Sequence, residues 1–331
     1  MLKPRIGIGF RKWLYTISET TGFSTIDFNK IFNTNFITMK SFIGKKIRSV
    51  ISSFPNRKES EFTKRIRRRH KIFWEAPNAE VIRNTHMSAS DPIEKWMDVE
   101  NWQRKLSNKH NSREFAKMHG CRVAELYWRG RNVKDIPFDK LPEHYVIRPT
   151  IGYSCGMVFV MQKGVNLLDK KPYGIQELQA EMSRAVEENP YLEFLVEEFV
   201  RTEKGEYNLP DDYKIYTFNG EIASIRLINR VGVRKGFFGT YDADWNEIEI
   251  DNTSYPAGSY QEPPACLEEM VACAKRLSKA YGIFVRIDFY ATDKGAVFGE
   301  FTPTPTMGYG YTTNASKKYE AYWDKYCAGM I

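Results

Sequence analysis

Alternation between apolar and polar positions becomes regular only after residue 144. Tyr145 to Pro149 and Met157 to Gln162 are short apolar or β-branched runs flanking Gly152-Tyr153-Ser154-Cys155-Gly156, which predicts strand, glycine-containing loop, strand. Gln176 to Glu188 carries a helical period, and Leu192 to Val200 reads as another strand. Tyr213 to Asn219 and Glu221 to Arg230 predict a hairpin, because Asn219-Gly220 tolerates the positive φ angles of a tight turn. A two-residue loop there pairs Lys214 with Ile225 and sends Arg226 and Arg230 to the opposite face. Between Cys266 and Tyr281, Leu267, Met270, Val271, Ala274, Leu277 and Tyr281 share one helical face, and Gly282 supplies a stop. The preceding stretch, 76 to 145, has Trp96, Trp102, Tyr127 and Trp128 punctuated by Pro92, Pro137 and Pro142, and predicts short helices and loops packed by aromatics.

The most informative pattern is Ile283 to Ala291, Thr292-Asp293-Lys294-Gly295, then Ala296 to Thr302. If Asp293, Lys294 and Gly295 form a three-residue loop, Asp288 faces Glu300 and Arg286 faces Thr302. All four then project from one side, while Val285, Ile287, Phe289 and Phe301 make the other side apolar. The Cβ atoms of a facing pair lie about 4.5–5.5 Å apart, and two carboxylates held that close repel unless a cation sits between them. An oxygen-only pair suits Mg²⁺, which takes one or two carboxylates and completes its shell with water and phosphate.

Composition adds limits. The chain has 331 residues, 42% apolar and 14% aromatic, enough for a sizeable core, and no apolar run long enough to span a bilayer. Met1 to Phe10 is too short for a secretory core and is followed by Arg11-Lys12, so a cytoplasmic location is expected. Cys121, Cys155, Cys266, Cys273 and Cys327 form no CxxC pair and are expected to be reduced thiols. The net charge of +8 is uneven, since residues 40–71 hold twelve lysines and arginines against Glu59 and Glu61. That segment could meet an anionic polymer or the inner membrane face, or could be a solvated helix face or mobile arm.

Arg286-Ile287-Asp288-Phe289-Tyr290 with Phe298-Gly299-Glu300-Phe301-Thr302 resembles the paired metal strands of the ATP-grasp superfamily, and more narrowly of the TupA-like family named for teichuronopeptide biosynthesis. The resemblance extends through Asp211 to Gly220, Val196 to Val200, and Leu141-Pro142 with Tyr145 to Pro149, covering loosely 105 to 315. It implies an α+β ATP-grasp fold in which two subdomains with antiparallel sheets clamp ATP. The expected division is a basic N-terminal region and helical, aromatic lead-in over 1–105, a subdomain with phosphate loop and hinge strand over 106–200, and a metal-binding subdomain over 201–331.

By the same resemblance, Arg148, Ser154, Cys155 and Gly156 cover the phosphates, Glu197, Glu198, Phe199 and Val200 form the adenine hinge, Asp212 accepts from the ribose and Lys214 meets a phosphate. Asp288, Glu300 and Thr302 hold Mg²⁺, with Arg286, Lys214 and Arg230 as catalytic residues. Arg148 stands where the family usually has Lys, and a planar fork changes the phosphate geometry. The implied reaction is γ-phosphoryl transfer from ATP to a carboxylate, such as a uronic acid of a polysaccharide, followed by attack of an amine or amino acid. A kinase acting on a hydroxyl and a non-catalytic binder of anionic glycan or nucleic acid are the other two classes. Arg226 is expected either in a surface salt bridge or in catalysis. Pro303 to Tyr311, leaving the metal strand, is expected either to bound the acceptor pocket or to be a surface connection.

Overall fold

The computed structural model describes residues 59–152, 156–232, 235–249, 251 and 256–329. Residues 40–58 of the basic segment, Ser154, Cys155 and the side chain of Arg230 lie outside the described residues.

The chain enters through α1 (Glu61–Trp74), capped by Ser60, whose hydroxyl accepts from Thr63 N–H. This helix is the C-terminal part of the basic segment. Phe62, Ile66 and Phe73 face inward, whereas Lys64, Arg67, Arg68 and Lys71 are exposed. Two short helices, α2 (Ala79–Arg83) and α3 (Ile93–Trp96), and a 3-10 segment (Trp102–Ser107) lead to α4 (Lys109–Met118). Trp96, Trp102 and Phe115 pack together there, as the aromatic spacing predicts. The sequence pattern does not announce the two strands that follow, β1 (Arg122–Val123) and β2 (Leu126–Gly130). Each is too short for an alternation to register.

Two six-stranded sheets follow. One has the order β2, β7 (Phe194–Glu198), β3 (His144–Pro149), β4 (Phe159–Gln162), β5 (Val165–Asn166), β6 (Lys171–Pro172), all antiparallel. Ile147, Phe159, Met161, Phe194 and Val196 pack with Leu178 and Met182 of α5 (Ile175–Glu188). The other sheet has the order β1, β12 (Gly295–Thr302), β11 (Phe284–Thr292), β8 (Asp212–Phe218), β9 (Glu221–Gly232), β10 (Lys235–Tyr241), antiparallel except for β1 on β12.

One face of this second sheet buries Ile215, Ile225, Leu227, Val285, Ile287 and Phe289 with Met270, Ala274 and Leu277 of α6 (Leu267–Tyr281). Each such fully buried Ile, Leu, Val, Phe or Met side chain contributes about 1.5–3 kcal/mol. Gly282, at φ 85°, ends α6 as the sequence predicts. The opposite face is divided. At one end Tyr216, Phe218 and Phe284 pack against Phe62 and Ile66 of α1 and Tyr319 and Trp323 of α7 (Thr313–Tyr326). The other end carries charge.

Registers decide which charges. Asp288 pairs with Glu300 and Arg286 with Thr302, as predicted, but for a different reason. Thr292 pairs with Gly295, so the turn holds only Asp293 and Lys294, and the extra residue is a bulge at Gly299. A Cβ at Gly299 would sit 3.0 Å from Asp288 O. The Asn219-Gly220 turn does have two residues, since Phe218 pairs with Glu221. A bulge at Ala223 then shifts the register, and Lys214 pairs with Arg226, not Ile225. That corrects the expected face: Arg226 lies on the same side as Lys214.

Candidate active site

Three pairings place Glu300, Asp288, Lys214 and Arg226 in one row across β12, β11, β8 and β9. Asp288 is 3% exposed. It accepts from Lys214 Nζ at 2.5 Å and from Arg286 Nε and Nη2 at 2.7 Å each. Arg286 Nη2 also donates to the Thr302 hydroxyl at 2.9 Å. Lys214 Nζ is 2.9 Å from Asp212 Oδ2 as well, so the residue expected at a ribose is here engaged by the residue expected at a phosphate. Charge-assisted bonds of this kind hold the row rigid.

Glu300 is held more loosely, 3.6 Å from Lys109 Nζ and 3.7 Å from Arg286 Nη2. Burial alone would raise its carboxyl, but Lys109, Arg286, Lys214 and Arg148 outweigh that and hold it below the ordinary glutamate value. Burial pushes the Lys109 ammonium down despite the opposing pull of Glu300.

Arg148 enters from the other sheet. Its Nε donates to Glu197 Oε2 at 2.5 Å and its Nη1 reaches Gly299 O at 3.4 Å, so the two sheets meet at this point. Burial would lower this guanidinium, and pairing with Glu197 more than reverses it. Glu197 also meets Arg113 Nε at 3.3 Å. Its carboxylate is therefore occupied by two arginines, while the strand it occupies runs into Glu198, Phe199 and Val200. Glu198 pairs with Lys294. Phe199 is buried and packs edge-on against Tyr207, which stacks on His144 at 3.7 Å. Gly156 is exposed beyond Gly152, whose carbonyl accepts from Lys109 Nζ at 3.3 Å.

Arg226 is 5% exposed and donates through Nε to Asp251 Oδ1 at 2.7 Å. The expected alternative of a surface salt bridge is thus corrected: the pair is buried, among Tyr216 and Tyr311, whose rings lie 5.0 and 5.7 Å away. Asp251 also accepts from Tyr319 Oη at 2.5 Å. Arg230 lies on β9 opposite Gly236. The loop after β12 packs on α1, where the Thr63 hydroxyl donates to Gly308 O at 2.7 Å.

The donor chemistry at Asp288, Glu300 and Thr302 fits a magnesium ion: two carboxylates and a hydroxyl, all hard oxygens, with phosphate and water left to complete the shell. Among the described residues no group of three or more His, Cys, Asp and Glu side chains forms a metal cage.

The model of the family described as TupA-like ATPgrasp matches residues 93–323. The chain belongs to the TupA-like ATP-grasp family. No curated protein sequence matches this TupA-like chain. Among solved structures it resembles D-alanine–D-alanine ligase from Bacillus anthracis, with 18% identity, 67% of this chain and 64% of that one covered, and a TM-score of 0.44. The D-cycloserine synthetase DcsG gives 12% identity, 68% and 71% coverage, and 0.44. The D-alanine–D-alanine ligase of Helicobacter pylori gives 15%, 68% and 62%, and 0.42. The TupA-like chain thus spans less than two thirds of the length of either D-alanine–D-alanine ligase. Its architecture is the ATP-grasp fold, with mixed helices and antiparallel sheets.

Two site residues of this TupA-like chain escape the sequence reading, Lys109 and Arg113. Asn108 caps α4 by accepting from His110 N–H at 3.0 Å, and Lys109 N–H donates to Thr150 O at 2.8 Å, which fixes the helix start beside the loop after β3. Lys109 and Arg113 are four residues apart and share a face of the helix. Their i, i+4 spacing was the available signal, with Phe115 and Ala116 buried at 0% to mark the apolar side.

Proposed function

We propose that this chain is an ATP-dependent ligase that phosphorylates a carboxylate and passes the acyl group to an amine. The observation that supports this most strongly is the in-register row of Glu300, Asp288, Lys214 and Arg226, faced by Arg148 and Lys109. Such a row offers anionic ligands at one end and fixed cations at the other, the arrangement phosphoryl transfer needs for positioning and charge neutralisation.

Asp288, Glu300 and Thr302 would hold magnesium, which supplies neutralisation of phosphate oxygens when bound. Arg148, Lys109 and Arg113 bind the triphosphate, with Ser154, Cys155 and Gly156 proposed as further phosphate-binding residues. Glu198, Phe199 and Val200, following Glu197, hold adenine, and Asp212 takes the ribose hydroxyls once Lys214 turns toward phosphate. Arg286, already fixed by Asp288 and Thr302, is positioned to stabilise the oxyanion formed when the amine attacks. Arg230 is a further phosphate contact. In this reading 106–200 and 201–331 act as the two halves of the clamp, and 1–105 as the lead-in.

The carboxylate is proposed to belong to a uronic acid of a surface polysaccharide, and the amine to an amino acid. The exposed Lys64, Arg67, Arg68 and Lys71 on α1 support contact with a polyanion, or with the anionic inner face of a membrane by a cytoplasmic enzyme. Among the described residues no helix is long and apolar enough to cross a membrane.

The test is product chemistry. Purified chain with Mg²⁺, ATP, polyglucuronate and an amino acid mixture should release ADP and phosphate only when carboxylate and amine are both present. Phosphate retained on the acceptor would instead make it a kinase.

A further inference from the structure

Cys121 lies in the turn between α4 and β1, and Cys273 on α6, more than 150 residues later in the chain. Cys121 Sγ donates to His119 O at 3.9 Å. Arg276, one turn further along α6, covers both: its Nη2 lies 3.4 Å from Cys273 Sγ and 3.8 Å from Cys121 Sγ. The guanidinium is fixed in place because Nε donates to His119 O at 2.6 Å. Both cysteines are 4% exposed, whereas Arg276, which touches both sulfurs, is at the surface.

The arrangement is asymmetric. The neighbouring Cys121 thiol, followed by the charge of Arg276, brings the Cys273 thiol down to about 7, while the neighbouring Cys273 and burial push Cys121 up. Cys266 and Cys327, in contrast, are pushed up by burial to about 11. A lowered thiol beside a cation, with a second thiol against the same guanidinium nitrogen, is the arrangement of an attacking and a resolving cysteine.

We propose that Cys121 and Cys273 are an oxidisable dithiol site that closes to a disulfide on reaction with hydrogen peroxide. Cys273 Sγ attacks the peroxide, the S–O bond forms, the O–O bond breaks and the leaving hydroxide takes a proton to become water. Cys121 Sγ then attacks Cys273 Sγ, the S–S bond forms, the S–O bond breaks, and a second water leaves with the Cys121 proton. One peroxide is reduced to two waters and two thiols are oxidised to one disulfide. The bond would tie α6 to the junction of α4 with β1, whose neighbour in the sheet is β12, the strand of Glu300.

The test treats the native full chain with hydrogen peroxide, blocks remaining thiols under denaturing conditions and maps peptides without reduction. The expected product is a Cys121–Cys273 linked peptide, about 2 Da lighter than its free halves and released by dithiothreitol. Cys121→Ser should leave a sulfenic acid at Cys273 that dimedone traps. Recovery of Cys121 and Cys273 as free thiols to the same extent as Cys266 and Cys327, or preferential pairing of either with another cysteine, overturns the proposal. The wild-type map alone decides this should the variant not fold.

Discussion

Glu197→Gln removes the carboxylate that Arg148 and Arg113 share. The side chains of Arg148, Glu197 and Arg113 are 16%, 3% and 6% exposed, so solvent screens these pairs little. Removing one partner from a buried ion pair costs about 3–5 kcal/mol, because the other charge stays buried without compensation. Glutamine keeps the shape and one acceptor oxygen, which puts the loss at the lower end, about 3 kcal/mol. At about 2–4 °C per kcal/mol for a chain of this size, the melting temperature should fall by about 6–12 °C. The two arginines would then lack an anion, and ATP phosphates would supply one. Calorimetric scans with and without saturating Mg-ATP should therefore show a larger nucleotide-induced rise in the variant than in the wild type. A fall below about 2 °C, or equal ATP shifts in both proteins, would refute the reasoning that links this carboxylate to the phosphate site.

Three further outcomes follow from the same geometry. The folded Glu300 carboxyl is held below its ordinary 4.5, so its contribution is complete above that value and is lost as pH falls through the lower one; denaturant titrations from pH 5 to 3 should show a shallower loss for Glu300→Gln than for wild type. Gly308 sits at φ +78°, where a Cβ would lie 2.8 Å from Thr63 Cα, so Gly308→Ala should cost about 2 kcal/mol or more by urea unfolding, and a change within 0.5 kcal/mol would contradict the packing of α1 on that loop. Lys109→Met should weaken ATP binding by about tenfold or more in equilibrium titration while moving the melting temperature by less than about 2 °C.

Much of this architecture is legible in the chain because period-2 alternation in β8, β9, β11 and β12 separates Ile215, Ile225, Ile287 and Phe289 from Lys214, Arg226, Arg286 and Asp288. The carboxylate pairing was readable from the turn, yet the extra residue that sets it is Gly299, not part of the loop. At Ala223 the same kind of insertion reverses the expected face of Arg226. A bulge leaves no alternation signal of its own in a single sequence, since one added residue looks like ordinary chain. The role of the polar side of α4 was hard to read for another reason: Lys109 and Arg113 share a face but look like solvated residues until Glu300 of one sheet and Glu197 of the other meet them. Arg69 is the converse case. It sits in the densest basic run, yet is fully buried, donating to Phe284 O at 2.5 Å and lying 4.5 Å from the Trp323 ring. Burial pushes its guanidinium down to about 10. A helix can hide one cation of a run because every third or fourth position faces inward.

The central claim is that Asp288 and Glu300 serve a metal-bound triphosphate. Titration calorimetry of ATP into wild type and Asp288→Asn, with and without Mg²⁺, tests it most directly. Wild type should bind ATP more tightly with Mg²⁺ than with chelator, and Asp288→Asn should lose that difference while staying folded by circular dichroism. Equal magnesium dependence in a folded Asp288→Asn, or no nucleotide binding by wild type under any condition, would contradict the account.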